Sequence, residues 1–228
     1  MPKLKPNNIK VKYVQKVKVR YLQQKAISFI KKEPSPLPIQ AIIAEDCWGM
    51  NISKHIKKEY NSPFVALYVM PDCYLKILHN LRWYLSQPLT FIERSQYKYV
   101  NDKRRAEPCN NNNHPIGLLH DAEIQFLHYK SKEEALDKWT RRLARLPTDD
   151  NRLLIKFSDH FNVTDAQLEE FEKLPFMNKI CFVAKPRPNL PSTIWMSECT
   201  GDHVPTLGSY WEMTLKYFDI DKVMRKST

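Results

Sequence analysis

Glycine is scarce in this chain. Only four glycines occur, at positions 49, 117, 201 and 208. They allow no Gly-x-Gly-x-x-Gly fingerprint and no P-loop, so those two phosphate cradles are excluded. No apolar run approaches the roughly 18–20 residues of a membrane span. The five cysteines (47, 73, 109, 181, 199) are odd in number and lack Cys-x-x-Cys spacing. That argues against a disulfide framework and a structural zinc site, and favours a reducing, cytoplasmic setting. The seven histidines show no His-Glu-x-x-His pattern. Neither a metal nor a cofactor is therefore expected. The basic start lacks the apolar core and cleavage site of a signal peptide.

Acid is also missing from one end. Residues 1–32 carry ten Lys/Arg and no Asp or Glu, leaving 26 basic and 25 acidic residues in the remainder. The net charge of +11 thus belongs to the first segment, and a nucleic-acid-binding body is not expected. The segment reads as an arm for an anionic membrane surface, where each basic residue contributes about 1 kcal/mol, or as a solvated tail or helix. Glu33-Pro-Ser-Pro-Leu-Pro38 follows and cannot continue a helix. The division is a basic arm and linker over 1–36 and a single domain over 37–228.

The domain is organised around Ala41-Ile-Ile-Ala-Glu-Asp46-Cys47-Trp48-Gly49. The β-branched run reads as a buried strand and Asn51 onward as a helix, which puts Cys47 in a strand-to-helix turn. Apolar runs at Phe64–Val69, Leu89–Glu93, Glu123–Tyr129, Leu153–Phe157 and Lys179–Ala184 predict further strands. In the third of these runs Ile124, Phe126 and His128 share one face. Helical spacing predicts helices from Pro71 to Leu85, from Ser131 to Leu146, from Thr164 to Phe171 and from Ser209 to Arg225. Pro115 to Leu119 is an apolar connector. The polar residues 95–115 read as a loop or flap. Strands alternating with helices predict an α/β fold, three-layer, with a mostly parallel sheet and helices on both faces.

Ligands of open α/β sheets bind at the carboxyl ends of the strands. Asp46/Cys47, His128 and Ser158/Asp159 all follow apolar strands. Cys47 as nucleophile, His128 as base, and Asp46 or Asp159 as orienter form one candidate set. A buried structural Cys47 beside a core Trp48 is the other reading, as are a half-buried strand histidine and a turn acid for the rest. On the 131–146 helix, Ala135, Leu136, Leu143 and Leu146 fall within about 60° of Trp139, and Arg142 sits at that border. Arg142 is the arginine placed for an internal carboxylate or a bound anion. Asp219-Ile-Asp221 has the shape used by metal-dependent glycosyltransferases, but sits in a predicted amphipathic helix.

Five stretches carry a resemblance. They are Asp46-Cys-Trp-Gly49, Tyr60-Asn-Ser-Pro-Phe-Val65, Pro115-Ile-Gly-Leu-Leu119, Ile124-Gln-Phe-Leu-His-Tyr129 with Glu134 to Arg145, and Lys173-Leu-Pro-Phe-Met-Asn-Lys179. From Ile39 to about Met196 the chain resembles an uncharacterised family of bacterial proteins found in exopolysaccharide and capsule gene clusters. The family pattern has a second glycine where this chain has Met50. The early cysteine, the strand histidine and the Arg-Arg helix also look distantly like a group labelled papain-like cysteine peptidases. The resemblance implies a three-layer α/β fold and a role in surface-polysaccharide assembly. The expectation is a transferase acting on a polysaccharide precursor or activated donor by thiol-dependent acyl transfer. Trp48, Arg142 and Asn61 are the candidate substrate contacts. The rivals are a nucleotide-sugar glycosyltransferase and a membrane-docked adaptor at the inner face of the plasma membrane.

Overall fold

The computed structural model describes residues 39–106 and 113–224. The basic arm, the linker and Cys109 lie outside the described residues. Two sheets form. Sheet A is wholly parallel in the order β1 (Ala41–Ala44), β5 (Leu153–Ser158), β6 (Lys179–Val183), β7 (Thr193–Trp195). Sheet B is antiparallel, β2 (Leu89–Ile92), β3 (Ile116–Leu119), β4 (Ala122–Gln125).

Strand periodicity explains the layering. Successive side chains leave opposite faces of a strand. Ala41, Ile43, Leu153, Ile155, Phe157, Cys181 and Val183 enter one apolar core. Ile42, Ala44, Leu154, Ile180 and Phe182 enter a second core on the other face. The first core is closed by α2 (Pro71–His79), α3 (Leu81–Ser86), α5 (Lys132–Leu143), α6 (Asp165–Lys173) and sheet B. The second is closed by α1 (Trp48–His55), the 3-10 turn Trp211–Lys216 and α7 (Ile220–Met224). This is a three-layer α/β fold with a mostly parallel main sheet, and sheet B is an addition to it. Ser131 caps α5 by accepting the Glu134 N–H, and Thr164 and Gln167 form a capping box on α6.

The structure differs from the sequence expectation in several places. Phe64–Val69 is irregular chain, paired to sheet B through a Tyr68–Gln125 bridge. Pro63 and a left-handed Ala66 (φ 64°) break the strand, while Phe64 and Leu67 still bury completely. Apolar character there marked burial and not a strand. The expected 71–85 helix breaks at Asn80 (φ −141°, ψ 55°). The polar 95–115 stretch contains a helix, α4 (Lys98–Ala106), anchored by the buried Val100. Its entry is tied by Asn101, whose side chain accepts from Ser95 N (3.1 Å) and donates to Ser95 O (2.7 Å). Pro115–Leu119 supplies β3 instead of a connector, and β7 was unforeseen. β4 ends at Gln125, so His128 lies in the turn beyond the strand. The expected last helix divides into the 3-10 turn and α7. On α5, Leu136 is 43% exposed, against its expected place on the buried face.

Candidate functional site

The carboxyl end of β1 leads into Glu45, Asp46 and Cys47, and that of β5 into Asp159 and His160. A cavity of about 440 Å³ opens there. Its floor holds Asp46 and Cys47, and its walls hold His114, His128, His160 and Thr206. α4 contributes Tyr99, Val100, Lys103 and Arg104, all within two turns on one side of that helix. Tyr68 and Phe161 complete an aromatic wall, stacked at 5.7 Å and 26°.

Beneath the cavity lies a fully buried ionic group. Lys156 is the one cation of the apolar β5, and its Nζ meets Glu45 Oε1 at 2.8 Å and Asp46 Oδ1 at 3.0 Å. Ser158 Oγ donates to the same Glu45 oxygen at 2.5 Å. Burial pulls the Lys156 ammonium down, and the Asp46 and Glu45 carboxylates more than reverse this, leaving it raised. Burial pushes the Glu45 carboxyl up to about 7, with Lys156 pulling against it and Asp46 adding to it.

Asp46 organises the turn. Its Oδ1 also accepts the Trp48 N–H (3.0 Å), opening α1, and its Oδ2 accepts the Gly208 N–H (3.1 Å). Gly208 must pass close: a Cβ there would sit 3.0 Å from Cys47 Cβ. Cys47 is buried, and its Sγ donates to Leu67 O at 3.7 Å. Burial and then the Asp46 carboxylate push its thiol up to about 12. It is therefore a neutral thiol at pH 7, unlike the thiolate of reactive cysteines.

His128 stands at the cavity rim, its N–H on Ala66 O (3.1 Å). Partial burial and then Lys54 lower its imidazole. His160 is lowered by burial, and its ring is held at both nitrogens, by Val204 O (3.2 Å) and Thr206 Oγ1 (3.0 Å). Asp159 does not line the cavity. Its Oδ1 accepts Val204 N–H (2.7 Å) and its Oδ2 accepts Ala184 N–H (2.8 Å). Burial raises its carboxyl against these two bonds.

Cys47, His128 and Asp46 thus share one cavity, and Asp159 stands behind it. The expected substrate contacts are elsewhere. Trp48 is fully buried in the second core, where its Nε1 donates to Thr214 Oγ1 (2.9 Å). Arg142 is half-buried against Tyr129, Val65 and the ring of Tyr60, and among the described residues it pairs with no carboxylate. Asn61 Nδ2 reaches Gln40 O at 3.5 Å, in a separate narrow cleft. Trp48 thus takes the core place of the alternative reading. Asp219 and Asp221 lie at the start of α7 and do not line the cavity. Among the described residues no group of three or more His, Cys, Asp or Glu is arranged to hold a metal, and no helix is long and apolar enough to cross a membrane.

His160, Thr206, His114 and the α4 cations were not singled out from sequence. Lys156 inside Leu-Leu-Ile-Lys-Phe-Ser was a readable signal, since a lysine in a buried strand demands an acid partner. Thr206 had no such signal.

Fold and cavity define an α/β protein with a strand-end pocket rich in imidazole. The particular family follows from comparison: residues 19–225 match the family described as a domain of unknown function (DUF1919), and the chain belongs to it. A Haemophilus influenzae relative, itself described as an uncharacterized protein, is 36% identical over 155 residues, which is 68% of this chain. The chain spans 66% of that relative's length. The family match begins at residue 19 and so takes in part of the basic segment.

Proposed function

We propose that the protein is a transferase of bacterial surface-polysaccharide assembly that acylates an anionic sugar precursor. The observation that carries this reading is the cavity itself. One strand-end pocket joins three imidazoles and a thiol to Lys103 and Arg104 of α4. The lowered imidazoles of His128 and His160 suit proton transfer from a hydroxyl acceptor near pH 7. Two cations over a pocket whose carboxylate is neutralised by Lys156 suit a phosphate or carboxylate on the substrate. A volume of about 440 Å³ accepts a sugar phosphate or an acyl donor's reactive end. The sequence resemblance to proteins of exopolysaccharide and capsule clusters supplies the pathway. In this reading the basic arm docks the enzyme at an anionic, cytoplasmic membrane face.

The test mixes the full chain with acetyl and succinyl thioesters and a panel of hexose phosphates. Mass spectrometry is expected to find an acylated sugar phosphate, with formation reduced about tenfold or more by Lys103→Ala combined with Arg104→Ala. Absence of any acylated product, with no rise in melting temperature on adding hexose phosphates, counts against the reading. Vesicles of phosphatidylglycerol test the arm: salt should weaken binding through screening.

A further inference from the structure

We propose that Thr206 and His160 are the reacting pair of this cavity, Thr206 carrying the acyl group as an ester and His160 moving the proton. The proposal rests on the acyl-transfer reading and assigns its nucleophile.

Hydrogen-bond logic fixes the state of the pair. A backbone carbonyl only accepts, so the His160 nitrogen facing Val204 O, Nδ1 at 3.2 Å, carries the ring proton. Nε2 then holds a lone pair, and Thr206 Oγ1 at 3.0 Å must be its donor. This is a nucleophile within hydrogen-bond reach of a base that a third group orients. Burial lowers the His160 imidazole, which keeps that lone pair available at pH 7. The Cys47 thiol, by contrast, donates to a backbone carbonyl.

The orienter acts through one residue, Val204, by way of its two flanking peptide groups. Asp159 Oδ1 accepts the Val204 N–H at 2.7 Å, and Val204 O receives His160 Nδ1–H. Asp159 is therefore a positioning residue, fixed in turn by Ala184 N–H at 2.8 Å. The ring is also packed against Phe161 at 4.2 Å. Phe161 is held at φ 61°, an unfavourable region for a bulky residue that persists only where surroundings enforce it. On the other side, Thr206 O accepts the N–H groups of Ser209 (2.9 Å) and Tyr210 (3.0 Å), which anchors the nucleophile's backbone.

The chemistry balances without an oxidant or metal. Thr206 Oγ1 attacks the carbonyl carbon of a thioester donor, and His160 Nε2 takes the hydroxyl proton. Collapse of the tetrahedral adduct breaks the C–S bond, and His160 gives that proton to the leaving thiolate. A sugar hydroxyl then attacks the Thr206 ester while His160 takes its proton. Thr206 Oγ1 leaves and receives that proton back.

The experiment treats the full chain with p-nitrophenyl acetate and locates the acetyl group by peptide mass spectrometry. The expected site is Thr206, absent in Thr206→Val and retained in Thr206→Ser. His160→Gln should slow acetylation about a hundredfold at pH 7, as loss of a general base does. The wild-type rate should rise with pH to a plateau, with a midpoint below the ordinary imidazole value of about 6.5. The charged and titratable groups facing His160 are Asp46, Asp159 and Lys156, with Cys47, Tyr68, Tyr99, Lys103, Arg104, His114 and His128 around the cavity. Thr206→Ser separates chemistry from folding, because it keeps the hydroxyl. Acetyl on Cys47 or His128 alone, unchanged by Thr206→Val, overturns the pair and leaves the acyl-transfer reading standing. No acetyl on any cavity residue of the folded protein overturns both.

Discussion

Lys156 Nζ lies 2.8 Å from Glu45 Oε1, across adjacent parallel strands, with the two side chains 0% and 3% exposed. Asp46 shares the same ammonium. The three charges sit directly under the cavity, where Asp46 also fixes the Trp48 and Gly208 backbone. Lys156→Met leaves two carboxylates buried without their cation. The expected cost is about 3–5 kcal/mol in urea unfolding. A loss below about 1 kcal/mol would show that the group is not ionised as described.

The same group predicts a pH dependence. Burial raises the folded Glu45 carboxyl to about 7 from the ordinary 4.5. The folded state then holds more protons than the unfolded state between those values. Stability contributed by Glu45 therefore falls as pH rises from about 4.5 to about 7. Glu45→Gln removes the titrating group and should flatten that slope. Identical slopes for wild type and variant, from urea curves at intervals of pH, would refute the assignment.

Cys47 gives a chemical test of its surroundings. Its thiol is pushed up to about 12, and it is buried. Cys199 is more exposed, though burial raises it as well. Among the described cysteines, iodoacetamide at pH 7.5 should reach Cys199 first and Cys47 slowly. The Cys47 rate should still be climbing at pH 10. A plateau with a midpoint under the ordinary value of about 8.5 would instead mark an activated thiolate.

Gly117 and Gly201 separate packing from chance. A Cβ on Gly117 would lie 2.5 Å from Phe126 and 2.8 Å from Leu89. On Gly201 the nearest atom would be His203 O at 3.6 Å, which is ordinary contact. Gly117→Ala should cost about 1–3 kcal/mol by overpacking, and Gly201→Ala less than about 0.5 kcal/mol. Thermal melts of the two variants read this directly.

The fold class was legible because sheet A buries both faces. Its strands are short apolar runs, such as Ile42-Ile43 and Leu153-Leu154-Ile155, and the caps at Ser131 and Thr164 are local signals. Sheet B was only partly legible. Glu123 and Gln125 are polar yet fully buried, satisfied by Ser95, Gln96 and His114 from distant segments. Such partners do not show in a window of sequence. The site divides in the same way. Cys47 and Asp46 were found because they end a strand. His160 and Thr206 were missed because a loop folding back from 46 residues away makes their contact. Arg142 was placed correctly at the border of its helix face, but its partners are a phenol and rings, not a carboxylate.

Arg142 and its neighbour Arg141 form the last contrast. Arg142 Nη1 donates to Tyr129 OH at 2.5 Å, and the guanidinium lies 5.2 Å from the Tyr60 ring centre. Tyr129 OH in turn donates to Val65 O at 2.6 Å, holding the irregular 64–69 chain that carries Leu67 to Cys47. Arg141 pairs with Asp137 one turn earlier on the exposed side. Arg142→Ala removes a charge-assisted bond and a cation–π contact, a loss of about 1.5–3 kcal/mol. Arg141→Ala removes an exposed helix pair of about 0.3–0.5 kcal/mol. Arg142→Lys should recover only part of the loss, because an ammonium cannot stack on Tyr60 while reaching Tyr129. Urea unfolding of the three variants measures the order. The structural role also predicts that Arg142→Lys binds hexose phosphates as wild type does, since Arg142 does not line the cavity. Equal stability of the Arg141 and Arg142 alanine variants, or loss of phosphate binding in a stably folded Arg142→Lys, would place the guanidinium in the ligand site instead.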